Sequence, residues 1–228
     1  MKNLLALVGL LFLFPTLHAQ ERRTLSDRDF TELEVHGNFE VMLRQGDHPE
    51  IIAASDDLGD IELDFDGNRV TISWDDDWDM DFDREATLYI TMVEIEEIDI
   101  SGVVNLESFN SLHATNIYLH SSGSSRMEVG VDVSDRLNIR CSGASSATVF
   151  GTSTVSKVRT SGSSDLHAFD LISQISEVRS SGSSNASIHA TSSVSASASG
   201  SSDIYISGDP EVEGTTSGAA DITRADKN

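Results

Sequence analysis

The sequence predicts an all-β protein, a single-stranded parallel β-helix (solenoid) with coils of about 20 residues. Three observations carry this. Ser-Gly pairs fall at Ser101, Ser122, Ser142, Ser161, Ser181, Ser199 and Ser217, at steps of 21, 20, 19, 20, 18 and 18 residues. A step kept that closely signals stacked repeats, whereas a Ser/Gly-rich linker has no reason to keep one. Around each pair, apolar and polar residues alternate over short runs, as in half-buried strands. No stretch shows a 3.6-residue period, and the chain holds only three prolines.

The chain opens with a leader. Lys2, the apolar run "LLALVGLLFLF" and "TLHA" ahead of Gln20 read as a secretory signal peptide over residues 1–19, too short in its apolar part for a membrane span. No cysteine near the cut offers a lipid anchor, and no second long apolar run follows, so the mature chain is expected to be soluble and not membrane-spanning. Residues 20–27 read as a linker.

Residues 28–100 alternate without the Ser-Gly corner. "FTELEVHGNFEVMLRQG" points Leu33, Val35, Phe39, Val41 and Leu43 one way. "IELDFDGNRVTISW" is a hairpin turning at Asp66-Gly67-Asn68. This part is expected to be the N-terminal end of the solenoid, closing off its apolar interior; a separate sandwich domain is the alternative. Within it "WDDDWDMDFD", residues 74–83, carries six aspartates. These could ligate calcium, but the run lacks the glycine and terminal glutamate of an EF-hand loop, and a solvated hairpin tip is the simpler expectation.

Residues 101–224 are the coils. Aligned on the corner serine, inward columns form. Three before it stand Ile98, Leu119, Ile139, Val158, Val178 and Ala196; one before it stand Ile100, Ser121, Cys141, Thr160, Ser180 and Ala198. Five after it stand Leu106, Met127, Ala147, Leu166, Ala186, Ile204 and Ile222. His167 and Tyr205 point out. The glycine turns the corner at positive φ, and the serines beside it are small enough for a tight bend, with hydroxyls able to satisfy bent backbone. The interior is narrow, and Cys141 within it reads as a small hydrophobe rather than a nucleophile. A polar tail, 225–228, ends the chain.

The ordered set "FTELEVHGNFEVMLRQG", "IEEIDISG", Ser-Gly-Ser-Ser coils and "ISGDPEVEGTTSGAADI" resembles the putative auto-transporter adhesin, head GIN domain family, over roughly residues 23–224. The resemblance implies a right-handed β-helix exported across the inner membrane, typically in Bacteroidota-type bacteria, and brings no catalytic residues with it. The acidic run 74–83 is a departure from the family. No C-terminal barrel follows the coils, so self-translocation as a true autotransporter is not expected.

Charge narrows the function. The chain has 38 acidic and 15 basic residues; without the leader and its Lys2 the formal charge is −24. Such a field disfavours nucleic acid and anionic lipid. The single cysteine excludes a disulfide framework. The short, uniform coils leave little chain for a catalytic cleft, and neither a Gly-x-Ser-x-Gly elbow nor a His-Glu-x-x-His motif occurs, so no enzyme, cofactor or metal site is expected. A carbohydrate-active β-helix enzyme is the rival, and a purely structural envelope protein the second alternative. The expected role is an adhesin-like binding module, periplasmic or at the cell surface, a monomer whose partner is an envelope glycan or protein. The candidate site is a column two before the corner serine: His120, then Arg140, Arg159 and Arg179, then Ser197. Stacked like charges are costly unless compensated, either by a ligand or by Glu128, Asp165 or Glu177.

Overall fold

A computed structural model describes residues 21–55, 58–75 and 85–225. The expected signal peptide over residues 1–19, nearly all of the acidic run 74–83 and the last tail residues lie outside the described residues.

The chain forms one continuous fifteen-stranded sheet that winds as a β-solenoid of about six turns. The coils are built from β7 (Glu97–Ser108), β8 (Leu112–Ser121), β9 (Arg126–Cys141), β10 (Ser146–Thr160), β11 (Asp165–Gly182), β12 (Asn185–Gly200), β13 (Asp203–Ser207), β14 (Glu211–Gly218) and β15 (Asp221–Arg224). Each pairs in parallel with its equivalent one coil away. The inward columns are those that alternation selects. Ile98, Leu119, Ile139, Val158 and Val178 are buried, as are Met127, Ala147, Leu166, Ala186 and Ile204, while His167 is exposed.

Each coil turns at its glycine. Gly162 has φ +78, and a Cβ there would lie 2.7 Å from the carbonyl oxygen of Gly143 in the coil below. The same approach recurs from Gly102 to Gly218. Glycine is therefore required twice over, for its φ and for the contact. That contact lets the next residue's N–H reach the same carbonyl one coil away, as Ser163 N does to Gly143 O at 2.7 Å.

The two serines after the glycine differ in role. Ser163 points to solvent, whereas Ser164 is fully buried. Its hydroxyl lies 3.0 Å from the carbonyl oxygen of Ser161 in its own corner and 3.1 Å from that of Cys141 one coil below. Ser202 repeats both contacts, to Ser199 O and Ser180 O. Cys141 O also accepts from Ser161 N at 3.0 Å, so the buried serine adds a second donor there and a hydroxyl donor for Ser161 O.

Where the interior narrows, hydroxyls replace alkyl groups in pairs. Ser153 bonds Ser173 at 2.9 Å, Ser156 bonds Ser176 at 2.7 Å and Thr160 bonds Ser180 at 2.7 Å, all across one interval between adjacent coils. A buried hydroxyl is tolerated there because its register partner is another hydroxyl.

The N-terminal part joins the same sheet. Strands β1 (Glu21–Ser26), β2 (Glu32–Gln45), β3 (Glu50–Ser55), β4 (Ile61–Asp66), β5 (Arg69–Trp74) and β6 (Ala86–Met92) precede β7. Strand β2 pairs in parallel with β7 from Glu32–Glu97 to Leu43–Ser108 without a break, which sets Gly37 on Gly102. Gly37 has positive φ. "His36-Gly37" is thus a corner of the repeat that a search for Ser-Gly passes over, with histidine standing where the later corners have serine. Strands β5 and β6 form a further layer on the other side of β2. Antiparallel strands then cover that end: β3 on β6, β1 on β3, and β4 on β5. Residues 21–26, expected to be linker, are therefore an edge strand. Trp74 stacks on Phe39 with ring centroids 4.9 Å apart, among the large buried side chains concentrated at this end.

Candidate functional site: an arginine column on one face

Parallel register places Arg140, Arg159 and Arg179 directly over one another on β9, β10 and β11. All three are exposed. Below them the column continues through His120, Asp99 and Glu34; above them stand Ser197 and Thr215. Two residues back along each strand runs a second column, Glu32, Glu97, Tyr118, Asn138, Lys157 and Glu177. The two columns form a strip whose sign changes along the solenoid, acidic at the N-terminal end and basic in the middle coils.

Most of the charge on this strip is already paired. Arg69 reaches Glu32 at 2.8 Å, Glu97 at 3.2 Å and Glu34 at 3.7 Å. The hydrogen bond with Glu32 holds its guanidinium above the ordinary value, outweighing the lowering by partial burial. His120 meets Asp99 at 2.9 Å, and Lys157 meets Glu177 at 3.3 Å. Arg140, Arg159 and Arg179 have no ion pair among the described residues. Of the three carboxylates that could have neutralised them, Glu177 is taken by Lys157. Glu128 and Asp165 stand on the strands after the corner, in other columns, where Asp165 accepts from Asn185 Nδ2 at 2.8 Å.

Three depressions lie along the strip and share residues. One of ≈ 590 Å³ is walled by Glu32, Glu94, Glu96 and Glu97 and ends at Tyr118. A second, of ≈ 210 Å³, runs from Tyr118 and His120 to Arg140 and Arg159. A third, of ≈ 400 Å³, holds Lys157, Arg159 and Arg179 and ends at Glu213. The strip is a shallow groove crossing the strands, not a closed pocket.

The sequence profile of the putative auto-transporter adhesin, head GIN domain family matches residues 29–210. The chain belongs to this family. No curated protein matches the sequence. Among solved structures, the head GIN chain is similar to a putative adhesin from Bacteroides fragilis, with TM-score 0.83, 19% identity and coverage of 91% of this chain and 98% of that one. It is also similar to a putative lipid binding protein from Parabacteroides distasonis, with TM-score 0.68, 17% identity and coverage of 92% and 98%. A putative adhesin from Parabacteroides merdae matches with TM-score 0.68, 15% identity and coverage of 92% and 97%. At these identities the likeness is one of fold.

The head GIN fold also builds a cluster that alternation does not reveal. Glu34 Oε2 accepts from Thr71 Oγ1 at 3.2 Å, Glu34 Oε1 accepts from His36 Nε2 at 2.7 Å, and His36 Nδ1 contacts Ser101 Oγ. Carboxylate, imidazole and hydroxyl in that order is the arrangement that can activate a serine. Here it ties β5, β2 and β7 together at the Gly37–Gly102 corner. Glu34 and His36 lie 65 or more residues from Ser101, so only the stacking of Gly37 on Gly102 could have announced the contact. Cys141, by contrast, is buried, and burial pushes its thiol up to about 12. It is a protonated interior side chain.

Proposed function

We propose that this head GIN protein is an exported, non-enzymatic binding module of the cell envelope that holds an extended acidic glycan along Arg140, Arg159 and Arg179. The single observation that supports this is the column itself: three exposed guanidinium groups in register, with no carboxylate partner among the described residues. Like charges stacked in neighbouring strands repel one another. A chain bearing repeated carboxylates relieves that repulsion and can be gripped bidentately by each arginine. The rest of the protein is acidic, so a polyanion is excluded elsewhere and guided to this strip. The leader expected over residues 1–19 and the family's description as an adhesin head support export. The module acts as a monomer in the periplasm or, by another route, at the surface.

The test replaces all three arginines with Gln and compares binding to an acidic-glycan array and in pull-downs from envelope glycan. The wild-type protein binds in a salt-sensitive manner, because exposed charges are screened by added salt. The variant loses at least about tenfold in affinity, the equivalent of about 1.4 kcal/mol. Unchanged glycan binding by the variant contradicts the assignment. The rival hydrolase reading has its own check at Ser101. A fluorophosphonate probe is expected to leave Ser101 unlabelled; labelling that His36→Ala abolishes would show an activated serine and overturn the non-enzymatic reading.

A further inference from the structure

We infer that Tyr118 is the sugar-reading end of the arginine site, and that the ligand is a polyuronate-type hexose chain, one carboxylate per ring, occupying four rungs. This rests on the glycan-binding reading above and narrows its ligand class.

Side by side on the strip stand Tyr118 and His120, Asn138 and Arg140, Lys157 and Arg159, and Glu177 and Arg179. Rungs of a sheet lie about 4.8 Å apart, close to the length of one hexose in an extended chain. A chain laid across the strands can therefore present one ring and one carboxylate to each rung. Both ends of the strip are marked. Before Tyr118 the strip becomes acidic at Glu97 and Glu32, which repel a polyanion; past Arg179 it carries Ser195 and Ser197 and then Glu213. Four rungs remain between those ends.

Tyr118 is 54% exposed; Phe109 and Phe150 are exposed too, but neither lines the depressions along the strip, so Tyr118 is the aromatic side chain the strip offers. It lies where two of the depressions meet. An exposed aromatic ring beside cationic groups offers an apolar face to the C–H face of a sugar while the cations take its carboxylate. Beside it, the buried Nδ2 of Asn138 has no hydrogen-bond partner among the described residues. A polyanion without rings offers charge but nothing for Tyr118.

The probes are oligogalacturonates and oligomannuronates of two, four and eight units, with poly-L-glutamate of matched charge as the ring-free control, titrated into the mature protein. Affinity should rise from two units to four and level off by eight. The wild-type protein should prefer the uronates to polyglutamate by about tenfold. Tyr118→Ala should remove that preference and leave weaker, salt-sensitive binding, while Tyr118→Phe should keep it. Tyr118→Ala that retains the preference, or a wild-type protein that shows none, overturns the tyrosine assignment while leaving the arginine site standing. If the triple Arg→Gln variant still binds the uronates as the wild type does, the underlying reading fails, and this inference with it.

Discussion

The repeated Ser-Gly-Ser-Ser assigns a separate task to each position. The glycine allows one coil to touch the next, and the fourth residue, such as Ser164, shares its hydroxyl proton between the carbonyl of Ser161 in its own corner and that of Cys141, which also accepts from Ser161 N. Ser164→Ala should therefore destabilise by roughly 1–3 kcal/mol, the cost of leaving a buried carbonyl unmet, whereas Ser163→Ala should stay within about 0.5 kcal/mol. Denaturant unfolding of the two variants measures this, and equal losses would refute the division of roles. The spacing makes the glycine legible in the sequence. It does not say which of three neighbouring serines is buried, because a serine tolerates both environments and only the bend direction separates them. Cys141 carries a pH prediction. Its folded pKa is raised by burial, so the folded state keeps a proton that the unfolded state releases from about pH 9 upwards. Stability should fall as pH rises from about 9 towards 12, by at most about 1.4 kcal/mol per pH unit from this group. Melting curves of Cys141→Ala should show a shallower decline over that window; an identical slope would remove the thiol as the cause.

At the scale of strands, alternation identified the buried columns of β9 to β13 because a period of two cannot be satisfied on both faces. Leu166 and His167 are neighbours on β11, one buried and one exposed. Leu166→Asp places an unpaired charge in the interior and should cost several kcal/mol, whereas His167→Asp should cost less than about 1 kcal/mol. Comparable melting losses from both would contradict the register. The N-terminal strands were legible as strands, but their partners were not. Strand β2 meets β7 across 65 residues, with β3 to β6 folded back over the end, and nothing in local alternation names a partner at that distance. The edge strand β1 was hidden for another reason: "ERRTLS" is polar, and an antiparallel edge strand needs only backbone pairing and one partly buried face. The same long reach concealed the Glu34–His36–Ser101 contact.

Over the whole molecule, a strongly acidic chain carries one face on which carboxylates give way to arginines along the solenoid axis. The arginine column was legible because three like residues recur at the coil period. That Glu128 and Asp165 belong to other columns, and that Lys157 occupies Glu177, follows from register and side-chain reach, which sequence spacing does not specify. The central claim is that Arg140, Arg159 and Arg179 stand in register for a ligand and contribute nothing to the fold. The most direct measurement is the melting temperature of the ligand-free Arg140→Gln, Arg159→Gln, Arg179→Gln protein at low ionic strength. Removing three mutually repelling, unpaired charges should leave that temperature unchanged or raise it, with the gain fading as salt screens the wild-type repulsion. A fall of several degrees would mean that the arginines hold the coils together, and would contradict the account.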